Sequence, residues 1–221
     1  MATIKLTGLV LRQEDAGEAN KRFTILSEQM GKLQAFARGA KNPKSKLAVK
    51  MLTYCEFILY EGENFFSLTQ MTSLQDFSQL AEDYDAYVAT HFILELADKM
   101  LLADMDGKNA LNLIMIAFSR LVKKHDTKLV LAAFIFKFLQ SEGYRPALNG
   151  DFFGSDGLGE SGRQIAAPTA EALRYIISSE IKNTFSFKTS EKVAAELLDC
   201  ALGFLRANVD LRLNSMKFFS A

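Results

Sequence analysis

The chain has 221 residues, 49% of them hydrophobic, and its 26 Lys and Arg balance 26 Asp and Glu. This length can bury one large core or two small ones. The zero net charge excludes a protein-wide field that would attract DNA or an acidic membrane, so any anion binding must be local.

Cysteine usage and hydropathy indicate which kind of protein and which cellular compartment to expect. Cys55 and Cys200 form no CxxC pair, which argues against a disulfide framework or a structural zinc site and is typical of a reducing compartment. The most apolar stretch, residues 129–139, contains Lys137 and is too short to cross a bilayer. The N-terminus has no signal-peptide pattern. We therefore expect a soluble, cytoplasmic protein.

Short strands rich in β-branched and aromatic residues are predicted in the N-terminal third. Turn formers separate them. The predicted strands cover residues 4–11, 23–27, 33–38, 54–60 and 65–71. Five short strands in this span predict a small closed or nearly closed barrel, and the OB-fold is the commonest such barrel that binds oligonucleotides. Periodicity alone leaves an SH3-like barrel open.

A helical period begins near Leu80 and continues to the C-terminus. The predicted helices cover residues 84–100, 110–124, 127–142, 168–179 and 190–207. Between them, the glycine-rich loop at about 149–162 is either flexible or a short hairpin around Phe152 and Phe153. The expected fold class is α+β, with an OB-fold β-barrel at residues 1–79 followed by an all-α helical domain at residues 80–221.

The stretch from Gly31 to Lys50 changes character halfway along. Its first half alternates apolar residues with Gln34, Phe36 and Arg38, the pattern of a half-buried strand. Turn residues and lysines follow, namely Lys41, Lys44, Lys46 and Lys50. No Asp or Glu occurs between residues 29 and 55. An aromatic and cationic face of this kind suits single-stranded nucleic acid, whose bases stack on rings while its phosphates meet cations. The alternative is a Lys-rich loop that is merely solvated.

Other motifs are weaker evidence for a functional site. Glycines 157, 159 and 162 match GxGxxG, but no buried strand precedes them and no crossover helix follows, so we interpret the match as coincidence. His91 and Glu95 lie one helical turn apart without a second histidine nearby, which favours a packing role. Asp151, Asp156 and Glu160 lack EF-hand spacing and predict a solvated loop. We predict no catalytic residue, metal site or cofactor.

An apolar stripe in the second and third helices has two interpretations. It is either helical core, which is the usual role of such stripes, or a groove for a partner's apolar tail. Its members are Leu113, Met115, Ile116, Phe118, Phe134 and Phe138.

The order of several segments resembles the bacterial RecO recombination mediators along nearly the whole chain. In the barrel the resemblance rests on GLVLR at residues 8–12, on residues 15–32, on ARGAKNPKSKLA at residues 37–48, and on YEGENFFSLTQ at residues 60–70. In the helical part it rests on FILELADKML, FKFLQSEGYRPAL and APTAEALRYI. No segment is a catalytic signature, but their order and spacing together are specific.

The resemblance implies an OB-fold and a helical domain that bind single- and double-stranded DNA and anneal complementary strands. It also implies that RecR and the C-terminal tail of single-strand-binding protein are partners, that RecA is loaded indirectly, and that the protein works at the nucleoid. With the residue pattern above, it predicts DNA contact by Arg12, Arg22, Phe36, Arg38, Lys41, Lys44, Lys46 and Lys50, with Phe23 as a further stacking surface.

The chain departs from the family at two places. Many members carry a zinc site made of cysteines after the segment that matches GYRPAL, and this chain has the cysteine-free loop at about 149–162 there instead. Zinc is therefore not predicted, and packing of Phe152 and Phe153 is expected to hold the loop unless it is mobile. Asn42 occupies a position where a second basic residue is common, so the basic patch is expected to be weaker.

Three functions follow from the sequence. The first is a non-enzymatic mediator that binds and anneals DNA. The second is a protein-interaction adaptor that does not bind DNA, which is consistent with zero net charge. The third is a hydrolase that uses Asp151, Asp156 or Glu160, and no paired base or ligand set supports it.

Overall fold

The computed structural model divides the chain into two compact units, residues 1–111 and residues 112–221. Each unit is described by itself. The structure describes residues 2–42, 44–47, 50–63, 65–103, 105–154 and 162–219.

The first unit is built on a closed barrel with strand order β1-β2-β3-β5-β4. Its strands are β1 (Thr3–Ala16), β2 (Asn20–Ser27), β3 (Gly31–Ala37), β4 (Thr53–Glu61) and β5 (Phe66–Asp76). All neighbours are antiparallel except β3 and β5, which pair in parallel. This topology confirms the OB-fold, and the five strands lie where the sequence predicted them.

The barrel core consists of alternate residues on each strand, because successive side chains point to opposite faces. On β3, Leu33, Ala35 and Ala37 are buried in it, as the alternation predicted. Phe23 and Ile25 of β2 belong to the same core and are fully buried. Phe23 was predicted as an exposed stacking surface, and that prediction is wrong because its position on β2 points inward.

Helix α1 (Tyr84–Met100) belongs to the first unit, and the Asp83 side chain caps it by accepting from Ala86 N at 3.1 Å. Asp98 near its end contacts two barrel strands. Its carboxylate lies 2.8 Å from Arg12 Nε of β1, and its backbone carbonyl accepts from Lys32 Nζ of β3 at 2.6 Å. These contacts hold the end of α1 to the barrel.

A short segment after α1, here called the strap and defined as residues 101–103 and 105–107, crosses the β2–β3 turn. Gly31 in that turn has φ +62°, and a Cβ there would lie 1.8 Å from Met105 O. A Cβ on Gly107 would lie 2.5 Å from Leu26 Cδ1. Glycine at both positions permits this close approach, because any larger residue would push the strap away.

The second unit is helical. It contains most of α2 (Lys108–Val122) and the helices α3 (Thr127–Ser141), α4 (Ala167–Ser178) and α5 (Glu191–Asn208). Asp126 caps α3 by accepting from Leu129 N at 2.9 Å, and Ser190 caps α5 by accepting from Val193 N at 3.4 Å. Pro168 lies in the first turn of α4. Starts at Pro168 and Ser190 were expected from the sequence, and both are confirmed.

The apolar stripe is mainly core. Leu113, Phe118, Phe134 and Phe138 are buried, whereas Met115 and Ile116 are partly buried. Helix α3 is buried along most of its length, which explains why its sequence is apolar nearly all round.

The glycine-rich region contains a small antiparallel sheet of β6 (Ala147–Asn149), β7 (Phe152–Gly154) and β8 (Gly162–Gln164). The predicted hairpin is confirmed. Phe153 is buried against Phe136 and Phe204, with ring centroids 6.1 and 6.4 Å away, so packing holds the hairpin as expected. Phe152 is 37% exposed and does not share this burial.

The change from strand to helix falls between Asp76 and Tyr84. A domain boundary between residues 79 and 80 stays a prediction, since α1 groups with the barrel in the first compact unit.

Candidate nucleic-acid interface

The outer face of the barrel carries a row of side chains across four strands. Register pairs Glu14 of β1 with Arg22 of β2, Arg22 with Phe36 of β3, and Phe36 with Ser67 of β5. Residues directly opposite each other share a face of the sheet. Because Ala35 and Ala37 point inward, Phe36 points outward, where its ring is partly exposed beside the exposed Arg22.

The chain leaves this face through Arg38 into the loop before β4. Gly39 has φ +67°, and its N–H donates to Asn20 Oδ1 at 3.0 Å, which turns the chain away from β3. Ser45 N donates to Asn42 O at 2.8 Å, and Lys44 N donates to Asn42 Oδ1 at 3.0 Å. The described part of the loop is thus an ordered series of turns.

Two apolar residues hold the loop against the barrel core. Ala40 is 3% exposed and belongs to the core, and Leu47 packs against it while partly buried. Between these anchors the side chains of Lys44 and Lys46 are exposed. The loop therefore presents its lysines from a fixed base.

The predicted cations fall into two groups. Arg22, Arg38, Lys44 and Lys46 are exposed, and no ion pair is found for them among the described residues. Together with Phe36 they form what we call the barrel basic surface. Lys50 is also exposed, but its charge helps to hold the pKa of Asp76 below its usual range, after the hydrogen bonds that Ser78 donates to that carboxylate.

Arg12 and Lys41 form ion pairs instead. Lys41 Nζ lies 2.9 Å from Asp15 Oδ2, and this bond is the main reason why the pKa of Asp15 is lowered. Arg12 contacts both Asp98 and Glu14. The stretch between residues 29 and 55 contains no acid, but Lys41 is compensated all the same, because the β1–β2 hairpin brings Asp15 to it from outside that stretch.

The weaker candidates have structural roles. His91 Nδ1 lies 3.0 Å from Tyr87 O, its ring contacts the Tyr87 ring, and Glu95 pairs with Lys99 at 3.0 Å. Asp151 lies 3.6 Å from Arg174. Gly157, Gly159, Asp156 and Glu160 lie outside the described residues. Burial raises the pKa of the Cys55 thiol to about 11 and also raises that of Cys200, which keeps both protonated near neutral pH.

The second unit has an open pocket of about 360 Å³ beside β8 and α5. Phe153 and Cys200 lie at its apolar side, and Arg163 and Arg206 supply positive charge. Arg163 lies 2.8 Å from Asp199 and donates to Cys200 Sγ at 3.4 Å. No group of three or more His, Cys, Asp and Glu among the described residues could hold a metal ion.

The barrel topology and the helical unit define a two-part α+β protein of the OB-fold class. Among the described residues, no helix is suited to span a membrane. Residues 1–77 match the family model for Recombination protein O N terminal, and residues 81–217 match the one for Recombination protein O C terminal. Together the two matches span nearly the whole chain. The chain belongs to the RecO family of DNA repair and recombination proteins.

Individual relatives agree with this assignment. A DNA repair protein RecO of Acetivibrio thermocellus is 24% identical over an alignment of 242 residues, gaps included, and the alignment covers 99% of this chain and 96% of that protein. One from Clostridium acetobutylicum is 25% identical, with 94% and 93% covered. One from Desulfitobacterium hafniense is 32% identical over 152 residues, with 67% of this chain and 55% of that protein covered.

Proposed function

We propose that this protein is a non-enzymatic recombination mediator that binds single- and double-stranded DNA through the barrel basic surface and promotes annealing of complementary strands. One observation carries the proposal. On a single outer face, Arg22 lies opposite the outward ring of Phe36, and the chain runs from there into Arg38, Lys44 and Lys46, which are exposed and have no ion pair with any residue that the structure describes. Bases stack on the ring while the cations neutralise phosphates.

Annealing follows from charge neutralisation. Two complementary strands repel each other through their phosphates, and a cationic surface lowers that repulsion while releasing condensed counterions to solution. The fixed loop favours this role, because lysines held by Ala40 and Leu47 lose less conformational freedom on binding than lysines on an untethered loop. Lys41 and Lys50 contribute less, since Asp15 and Asp76 already offset their charges.

The partners that we propose are RecR, the C-terminal tail of single-strand-binding protein and, indirectly, RecA, which would place the protein at the nucleoid. An acidic, apolar tail needs an apolar floor with cations at its edge. The pocket lined by Phe153 and Arg206 has that chemistry, and we assign the tail to it; Arg206 is its available cation, because Asp199 in the pocket lining already pairs with Arg163. An Arg206→Glu variant is expected to lose binding of an acidic tail peptide while keeping oligonucleotide affinity.

The DNA-binding proposal is tested by neutralising two lysines in the loop and two basic residues elsewhere in the chain. The variant Lys44→Ala, Lys46→Ala is compared with Lys108→Ala, Arg145→Ala, whose side chains are also exposed and have no ion pair among the described residues. Anisotropy of a labelled single-stranded oligonucleotide is followed at several salt concentrations. Each lost phosphate contact lowers the magnitude of the log-log salt slope by about 0.7, so the loop variant should lose up to about 1.4 and the control nothing.

The ion pairs of Arg12 and Lys41 favour one alternative, a protein-interaction adaptor whose barrel has little DNA affinity. An adaptor would bind its partner through apolar contacts that respond little to salt. Equal affinities and equal salt slopes for both double variants would contradict the mediator proposal and leave the adaptor.

A further inference from the structure

The second unit carries a group of cations at the turn between α2 and α3, here called the turn cluster and defined as Arg120, Lys123, His125 and Lys188. Arg120 and Lys123 lie at the end of α2, and His125 N donates to Arg120 O at 3.1 Å, which folds the turn back onto the helix. Lys123 and Lys188 are exposed, and Arg120 and His125 are partly buried.

Lys188 reaches the turn from a separate part of the chain. Lys128, in the first turn of α3, lies 3.3 Å from Glu191, the first residue of α5. This contact brings the segment before α5 next to the start of α3, and Lys188 is three residues before Glu191 in that segment. The cluster is therefore a product of the tertiary fold and not of one helix.

The positive charges act on one another. Burial lowers the pKa of His125, and the charges of Arg120, Lys188 and Lys123 lower it further. Asp126, the next residue in the turn, is engaged in capping α3 by accepting from Leu129 N at 2.9 Å. Cations in the last turn of a helix are ordinarily explained by the helix dipole, which accounts for Arg120 and Lys123. It does not account for Lys188, which adds repulsion from outside α2.

An aromatic pair adjoins the cluster. Phe187 directly precedes Lys188, and its ring centroid lies 5.0 Å from that of Tyr175 on α4 in an edge-on arrangement. Tyr175 is 39% exposed, and its hydroxyl donates to Asn183 O at 3.1 Å, which fixes the ring. Tyr175 thus offers a partly exposed, fixed ring, and Phe187 links it along the chain to Lys188 of the turn cluster. Fixed rings and exposed cations on neighbouring segments are the combination that stacks bases and holds phosphates.

We infer that the turn cluster, with Tyr175 and Phe187, is a second binding site for the backbone of single-stranded nucleic acid, separate from the barrel basic surface. The inference rests on the proposed function and deepens it, because a protein with a second site can hold both complementary strands at once. The barrel basic surface would hold the first strand and the turn cluster the second. Cations on two segments, beside a flat ring, fit an extended phosphate backbone better than the single end of an acidic peptide.

Histidine NMR tests the site directly, because the chain has two histidines and His91 lies in the other unit. The protein used is the full chain with Lys44→Ala and Lys46→Ala, so that the barrel basic surface is weakened. Addition of oligothymidine should shift the ring signals of His125 and leave those of His91, bonded to Tyr87 O, in place. An oligonucleotide that leaves His125 unmoved overturns the inference. So does a polyglutamate peptide that shifts His125 when the oligonucleotide does not, because the site would then serve an acidic peptide.

Annealing provides the second readout. Lys188→Glu is compared with Arg145→Glu, an equal charge change at an exposed residue beyond the opposite end of α3. Annealing of two complementary labelled strands should slow about fivefold in Lys188→Glu, as expected for loss of roughly one phosphate contact with added repulsion. First-strand affinity should stay unchanged in both variants. Equal annealing rates in the two variants would overturn the inference, even if first-strand binding confirms the barrel basic surface. Loss of first-strand binding in the Lys44→Ala, Lys46→Ala variant tests the proposed function and not the turn cluster.

Discussion

The outer surface of the barrel has a side covered by the strap and α1 and a side that is open. The arginine on the covered side is ion-paired, whereas the arginine on the open side is exposed. On β2, Thr24 and Leu26 are buried, with the strap against Leu26, whereas Arg22 on the same face is exposed. Beside the covered residues, Arg12 pairs with Asp98 of α1. Beside Arg22, the register places Phe36 on β3 and Glu14 on β1, and Glu14 pairs with Arg12. Arg12 therefore stabilises the contact between the barrel and α1, whereas Arg22 stays available to bind a ligand.

The covered side is most strongly tested by Gly31→Ala, which should destabilise the protein by about 3 kcal/mol or more. The change combines a strained positive φ with a Cβ 1.8 Å from Met105 O, so the strap must move. Gly17→Ala is the matched control, because Gly17 has φ +80° but open space around a Cβ, and it should cost only about 1 kcal/mol. Urea unfolding measures both. Equal losses would show that the strap does not press on Gly31.

On the open side, Phe36→Leu should weaken single-strand binding about tenfold, or about 1.4 kcal/mol, because leucine keeps the apolar contact but removes the stacking surface. Unfolding should change little, since the Phe36 ring is only partly buried. Phe218→Leu, at a ring 52% exposed in the second unit, is the control and should bind normally. Fluorescence anisotropy at one salt concentration is sufficient. Unchanged affinity in Phe36→Leu would remove stacking from the account.

Much of this contrast could be predicted from the sequence, since it depends on local periodicity. The alternation in β3 correctly placed Phe36 outward and Leu33 inward. Extending the same argument to β2 would have shown that Phe23 points inward with Ile25, as the structure has it.

The pairing of the cations could not be predicted from local patterns. Lys41 meets Asp15 only through the register of the β1–β2 hairpin, and a bulge between Val10 and Arg12 changes which face Arg12 occupies. Asp98 reaches Arg12 from a helix that follows the barrel in sequence. Such long-range contacts depend on tertiary packing, so the sequence indicated which cations exist but not which remain unpaired.

Asp98→Asn tests the bond that joins α1 to the barrel. The substitution removes the carboxylate charge 2.8 Å from Arg12 Nε, and it should lower the free energy of unfolding by about 1 kcal/mol, a modest value because the Arg12 side chain is 44% exposed. Glu82→Gln, at an exposed residue before α1, should have no effect. Thermal or urea unfolding decides between them. A neutral Asp98→Asn would mean that the ion pair does not hold α1.

In the second unit, two lysines show the same contrast between an exposed cation and a cation held by contacts within the protein. Lys188 is exposed in the turn cluster, whereas Lys137 of α3 is buried and donates to Ile177 O at 3.0 Å and to Gln140 Oε1 at 3.1 Å. Burial lowers the pKa of Lys137 below 10.5. The unfolded chain therefore binds more protons between the two pKa values, and the free energy of unfolding rises with pH in that window.

Lys137→Met should abolish this rise while changing stability at pH 7 by less than about 1 kcal/mol, because it removes a desolvation cost together with two hydrogen bonds. Lys192→Met, at an exposed residue, should keep the wild-type pH profile. Urea unfolding between neutral pH and the lysine range compares the three proteins. If the free energy of unfolding still rises with pH in Lys137→Met, the rise belongs to another titrating group.

Whether the unpaired cations of the barrel bind DNA is tested by comparing Arg12→Ala with Arg22→Ala in one salt titration of single-stranded oligonucleotide binding. Arg22→Ala should lower the magnitude of the log-log slope by about 0.7, and Arg12→Ala should leave it unchanged. The reason is that Arg12 is already paired with Asp98, whereas Arg22 is exposed beside Phe36. Equal slopes for the two variants, or a loss in Arg12→Ala alone, would show that ion pairing does not decide which arginine contacts DNA.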